Sequence, residues 1–118
     1  MLARVLVAQG RFEEVGQLST TYEEVAAPDD TAAQVDWRGL RALAIVRDGR
    51  VDEAMRLARE GVELAKPADF PTLQAEAWLR LSDVLLLAGD QSAADAATMA
   101  RRLYEAKGDV VSAGRIAG

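Results

Sequence analysis

Residues 9–15 read QGRFEEV and residues 47–54 read RDGRVDEA, so a glycine, an arginine, an apolar residue and two acids occur twice. A phosphate loop needs several glycines and a Lys followed by Ser or Thr, because backbone amides and the lysine hold the phosphates; neither stretch has them. As a helix–turn–helix linker the same letters make sense. Glycine supplies the turn, and the two acids fall in the first turn of the following helix, where the helix dipole favours negative charge. A third glycine, in AGDQSAA (88–94), keeps the turn residue and loses the arginine and the acid pair. Chemistry would need the lost residues, whereas a turn needs only the glycine.

The three turn glycines set a repeat. Gly10, Gly49 and Gly89 are separated by 39 and 40 residues, and their flanks match in register. Seven positions before them stand Ala3, Ala42 and Ser82, and four before stand Leu6, Ile45 and Leu85. Five after come Val15, Ala54 and Ala94, and eight after come Leu18, Leu57 and Ala97. Each unit reads as two helices folded back at a glycine. Periodicity agrees: Trp78, Leu81, Ser82 and Leu85 fall at i, i+3, i+4 and i+7, and Val51, Ala54, Leu57, Ala58, Gly61, Val62 and Ala65 make a facing stripe of small residues. Small residues on facing stripes let antiparallel neighbours approach closely.

Longer connections carry punctuation. In AAPDDT (26–31), Asp29 or Asp30 suits a helix N-cap, and Thr31 with Gln34 has capping-box spacing; in KPADFPT (66–72), Asp69 and Pro71 suit a helix start. Gly108 and Asp109 read as one helix stopping and another starting. Helices are thus predicted over about 2–8, 11–26, 30–47, 50–65, 71–88, 91–107 and 110–117. The second is the weakest former, because Gly16, Ser19, Thr20 and Thr21 depress helix propensity and Thr21 with Glu24 mimics a capping box, which leaves room for a kink. The expectation is an all-α single domain over residues 1–118: about three antiparallel hairpins stacked as an α-solenoid, plus a short terminal helix.

Composition narrows function. The chain has 118 residues, enough for one domain that buries about two thirds of the surface its unfolded form exposes. A formal charge of −5, with Arg101 and Arg102 the only adjacent basic pair, opposes nucleic-acid binding. There is no cysteine and no histidine, which removes thiolate zinc sites, the commonest metal ligand and the commonest general base. Apolar runs such as Val84 to Ala88 are far below a membrane span, and the N-terminus is no signal peptide, so a soluble cytoplasmic protein is expected. Lysine occurs only at Lys66 and Lys107, an arginine bias that suits a high-GC bacterial genome.

These residues together resemble the tetratricopeptide-type (TPR) helical repeats. The third unit, AEAWLRLSDVLLLAGDQSAADAATMARRLYEAKGD, carries the match through Trp78, Leu81, Ser82, Gly89 and Ala94. The second departs from it: Trp37 lies twelve residues before Gly49 where Trp78 lies eleven before Gly89, and Arg38 and Arg41 stand where Trp and Leu are expected. Units of about forty residues, against the family's thirty-four, mark a divergent relative. More narrowly, PDDTAAQVDWRG, GRVDEAMRLAREGVELA and YEAKGDVVSAGR resemble the C-terminal repeat tails of actinobacterial signalling ATPases and LuxR-type transcriptional regulators. The first unit lacks the front of its first helix, as a cut through a longer array would.

The resemblance implies a concave face lined by the first helix of each hairpin. In this register its residues are Asp36, Gly39, Leu43 and Arg47 from the second unit and Glu76, Leu79, Asp83 and Leu86 from the third. Trp78 reads as core; Trp37, out of register, stands between core and groove. The family's carboxylate clamp implies Lys and Asn at such positions, and this chain contains no Asn, so an acidic C-terminal peptide is a poor ligand. Asp29, Asp30 and Asp36 lack calcium-loop spacing and read as helix-start residues, while Glu13, Glu14, Glu23 and Glu24 read as a solvated face. Asp52 and Arg56 have i, i+4 ion-pair spacing.

The leading expectation is a non-catalytic protein-interaction module within a bacterial regulator, binding a protein or peptide partner without cofactor or metal. Self-association as a homodimer through uncovered end helices is the alternative. An enzyme would need an enclosed polar pocket with a perturbed carboxylate, of which the sequence gives no sign.

Overall fold

A computed structural model describes residues 2–67 and 71–107. Over these residues the chain forms α1 (Leu2–Ala8), α2 (Phe12–Val25), α3 (Thr31–Val46), α4 (Val51–Ala65), α5 (Pro71–Leu87) and α6 (Ala93–Lys107), with no strand. Each predicted helix in this range begins and ends within two residues of its observed bounds. The helix predicted at 110–117, the Gly108–Asp109 boundary and Asp69 lie outside the described residues.

Gly10, Gly49 and Gly89 all take the left-handed conformation, with φ of 74°, 83° and 74°. That region is closed to most side-chain-bearing residues, which is why glycine stands at each turn. At the first and third turns the chain closes a Schellman motif. The Arg11 N–H donates to the Leu6 carbonyl at 2.8 Å and Gly10 to Val7 at 3.0 Å; Asp90 donates to Leu85 at 2.9 Å and Gly89 to Leu86 at 3.1 Å.

The repeat positions chosen from sequence form the core. Ala3, Ala42, Leu6, Ile45 and Leu85 are buried in one cluster to which all six helices contribute, and Ser82 is buried as well. The small-residue stripe of α4 is buried from Ala54 to Ala65, and a Cβ added at Gly61 would meet Val35 at 3.7 Å. Small residues here allow close approach of α4 to α3. The α5 stripe is deeper than expected, because Leu73, Ala75, Ala77, Leu79 and Val84 are buried as well, and α5 therefore packs on more than one side. α3 does the same through five consecutive buried residues, Ala42–Val46.

Three local expectations are refined or corrected. α2 runs unbroken from Phe12 to Val25, with the hydroxyls of its weak helix formers bonded back to helix carbonyls rather than opening it: Ser19 donates to the Gly16 carbonyl at 2.7 Å, Thr20 to Gly16 at 3.2 Å and Thr21 to Gln17 at 3.1 Å. α3 is capped by Asp30, which accepts from the Ala33 N–H at 3.1 Å, whereas Gln34 turns away to the Ala27 carbonyl. In α6 the register slips. Asp90 accepts from the Ser92 N–H and hydroxyl at 2.8 and 2.6 Å, the helix starts only at Ala93, and Ala93, Ala96, Ala100 and Tyr104 turn inward while Ala94 is exposed. One residue of slip is about 100° of rotation, so the small residue expected at 94 is supplied by its neighbours.

Candidate functional site

A charged cluster sits where α1, α3 and α5 meet. Along α5, Glu76, Arg80 and Asp83 follow at i, i+4 and i+7, which places them on one helix face. The Arg80 stem lies across α3 at Gly39: a Cβ there would come within 2.6 Å of Arg80 Cγ and 3.3 Å of Cδ and Nε. Glycine at 39 is thus a packing requirement, since any side chain would displace the arginine. From α1, Arg4 Nη2 donates to Asp83 Oδ1 at 3.3 Å, a contact between residues 79 apart in sequence.

The cluster is incompletely satisfied. Arg80 Nη1 and Asp83 Oδ2 are buried and 3.8 Å apart, and neither makes a hydrogen bond. Burial pulls the Arg80 guanidinium down from its ordinary range, opposed first by Asp83 and then by Asp36. Burial pushes the Asp83 carboxyl up, against Arg4 and Arg80, and it does the same to Asp36, against Arg80. Asp36 still touches solvent and makes no ion pair within 4 Å among the described residues. The Arg80 guanidinium is thus surrounded by three carboxylates, Asp83, Asp36 and Glu76, and by a second cation, Arg4.

Two small cavities flank this cluster. The polar one, about 140 Å³, is lined by Val35, Asp36, Glu76, Leu79 and Arg80. The apolar one, about 180 Å³, is lined by Arg4, Val7, Ala8, Leu43, Asp83, Leu86 and Leu87. Leu86, 71% exposed, stands at the mouth of the second.

Of the residues selected from sequence, Asp36, Gly39 and Leu43 of α3 and Glu76, Leu79, Asp83 and Leu86 of α5 come together here. Arg47 does not: its guanidinium lies over the Phe12 ring of α2, 5.4 Å from the centroid. Trp37 stands about 100° round α3 from Asp36. There it packs against the core, donates to Gln34 Oε1 at 3.0 Å and is covered by Arg38 and Arg41 at 4.4 and 4.9 Å. Trp78 is half-buried against the core, as expected. Sequence reasoning missed Arg80 and Arg4, although a signal existed for each. Arg80 sits between Glu76 and Asp83 on their face, and Arg4, Leu43 and Asp83 each stand six residues before a turn glycine.

Larger concavities lie on the other side of the molecule. A shallow one of about 730 Å³ runs along α4 between Asp52 and Leu64, where Arg38 and Arg56 both pair with Glu60, at 3.2 and 2.7 Å. Arg56 thereby chooses Glu60 over the expected Asp52. Another, of about 380 Å³, lies among α4, α5 and α6 over Trp78 and Met99. Neither holds a buried polar atom without a hydrogen bond. Among the described residues no three potential ligands group as a metal would require, and no helix is long and apolar enough to cross a membrane. No protein-family profile, curated protein or solved structure matches the chain.

Proposed function

We propose that the chain is a non-catalytic, TPR-like protein-interaction module of a bacterial regulator, and that the α1/α3/α5 face binds a peptide segment of its partner. The observation that carries this reading is the convergence of repeat-equivalent positions on one face: Arg4, Leu43 and Asp83 line one cavity, and Asp36 and Glu76, each thirteen residues before a turn glycine, line the other. A stacked array presents one such face from its first helices. The link to a regulator rests on the resemblance of the sequence to regulatory repeat tails.

The polar cavity holds one carboxylate with raised proton affinity, Asp36, the feature an enzyme would require. Its size argues for binding instead. At about 140 Å³ it is well below the roughly 300–1,000 Å³ of sites that enclose a small substrate, and it has room for one side chain of a longer ligand.

The test is selection of peptides from a random display library on the immobilised protein, followed by binding to two surface variants. Leu86→Lys is expected to abolish binding of the selected peptides, and Leu64→Lys, on the α4 face, to leave it unchanged. Binding that survives Leu86→Lys and fails with Leu64→Lys would place the partner on the opposite side and overturn the reading.

A further inference from the structure

Arg80 and Asp83 together select the chemistry of a ligand group; the inference rests on the reading of the α1/α3/α5 face as a peptide-binding surface and adds which side chain that peptide inserts. Arg80 Nη1 is a donor and Asp83 Oδ2 an acceptor, both are buried, and they stand 3.8 Å apart with no hydrogen bond to either among the described residues. The neighbouring groups are engaged elsewhere. Arg4 Nη2 donates to the other Asp83 oxygen, Oδ1, at 3.3 Å, and Glu76 has an interaction of its own. Asp36 acts on Arg80 through its charge but accepts no hydrogen bond from Nη1. What remains is one donor beside one acceptor.

A charged ligand group can answer only half of this pair. A carboxylate would accept from Nη1 and set a second anion against Oδ2, whereas an ammonium would donate to Oδ2 and set a second cation against the guanidinium. A hydroxyl can do both, but with its oxygen about 2.8 Å from each atom the two bonds meet at about 85°, which bends at least one of them. A primary carboxamide has its oxygen and nitrogen about 2.3 Å apart, so opposite atoms 3.8 Å apart it makes two nearly parallel bonds of about 2.9 Å.

The pair joins the two cavities of this face: Asp83 lines the apolar one, about 180 Å³, with Val7, Leu43 and Leu87, and Arg80 lines the polar one. A group that reaches the pair from solvent passes the exposed Leu86 and these apolar walls first, so it needs an apolar stem. Glutamine supplies a longer one than asparagine. We propose that the α1/α3/α5 face takes a glutamine side chain of the partner, its stem in the apolar cavity against Leu43 and Leu87 and its carboxamide between Arg80 and Asp83. Burial makes the choice selective, because a hydrogen bond left unmade on either side keeps its full desolvation cost.

The test uses the full chain and blocked peptides acetyl-AAXAA-amide, with glutamine, glutamate, lysine or methionine at X, titrated while backbone amide signals are followed by NMR. The glutamine peptide is expected to shift amides around Leu43, Asp83 and Leu86 and to bind about ten-fold more tightly than the other three. Asp83→Asn gives a sharper readout. Arg4 holds the oxygen at the Oδ1 position, so the asparagine presents its amide N–H groups where Oδ2 stood, and two donors face the ligand. Preference should then reverse, the glutamate peptide binding more tightly than the glutamine one, whereas a loss of packing would weaken both alike. The amide spectrum verifies that the variant keeps its fold, and the wild-type series stands without it. An unreversed preference in the folded variant would overturn the carboxamide assignment. Glutamate, lysine or methionine peptides that match glutamine on the wild-type face would overturn it too and leave the face as the binding surface, as would a glutamine peptide that moves no amide while a display-selected peptide moves those around Leu86. Peptides that shift only amides of α4 and α6 would overturn both.

Discussion

Arginine followed three residues later by an acid occurs as an ion pair at two of the turns and again inside the cluster. At the turns, Arg11 meets Glu14 and Arg50 meets Glu53 with N–O distances of 2.5 Å, and all four side chains are largely exposed. In α5 the same spacing gives Arg80 and Asp83 at 3.8 Å, with only 21% and 14% of their side chains exposed and one polar atom on each lacking a hydrogen bond. The same arginine-to-acid spacing thus has opposite roles. In water such a pair closes and contributes little; out of water it cannot close, because Gly39 seats the arginine stem and Arg4 draws the aspartate the other way. Buried charge held open in this way is what singles out the α1/α3/α5 cluster as the candidate site.

The sharpest break in this comparison is charge reversal. Arg80→Glu would place a fourth carboxylate among Asp36, Glu76 and Asp83 and is expected to cost about 3–5 kcal/mol in chemical denaturation, the scale of an uncompensated buried charge. Arg50→Glu should cost no more than about 1 kcal/mol. Equal effects at both positions would show that Arg80 is not held as described.

Next in size is Gly39→Ala. A methyl group within 2.6 Å of the Arg80 stem is expected to destabilise by about 1–2 kcal/mol, the overpacking cost less the helix-propensity gain of about 1 kcal/mol. In the Arg80→Ala background the clash is gone, and the same substitution should become neutral or stabilising. A double-mutant cycle measures the coupling.

Acid titration separates the two kinds of pair by sign. Burial raises the Asp83 carboxyl in the folded chain, so the native state holds more protons than the unfolded state between the ordinary aspartate value of about 3.9 and the raised one. Stability should therefore fall as pH rises through that window, and Asp83→Asn should flatten the slope. Glu23, lowered by its hydrogen bond from Arg41 at 2.7 Å, acts oppositely: its contribution grows as pH rises from its lowered value to the ordinary glutamate range, and Glu23→Gln removes it. Urea denaturation across acidic pH reads both slopes. Smallest is Arg50→Ala, worth at most about 1 kcal/mol and fading in 1 M salt, where the screening length is about 3 Å.

The order of helices and turns was legible because glycine leaves a mark that no other residue replaces: three turns requiring φ near 80° leave three glycines in register, and the flanking small and large residues follow from packing at fixed distances from them. Where the register failed, at Ala94, a local Asp–Ser turn rotated the next helix, an effect that residue types at one spacing do not reveal. The site was half legible. Helical periodicity led to Asp36, Leu43, Glu76, Asp83 and Leu86, because a face of α3 and a face of α5 can be read one helix at a time. Arg80 and Arg4 escaped because their meaning is tertiary: the first depends on a glycine 41 residues earlier, the second on an aspartate 79 residues later. Arg47 and Trp37 went astray for the converse reason, their rings and charges being claimed by Phe12, Gln34, Arg38 and Arg41.

The most direct test of the α1/α3/α5 face is an amide-shift map of the unmodified protein titrated with the tightest peptide from the display selection. The largest shifts are expected to cluster on α1, α3 and α5 around Leu43, Asp83 and Leu86. Shifts centred on α4 around Met55 and Leu64, with Asp83 and Leu86 unmoved, would contradict it.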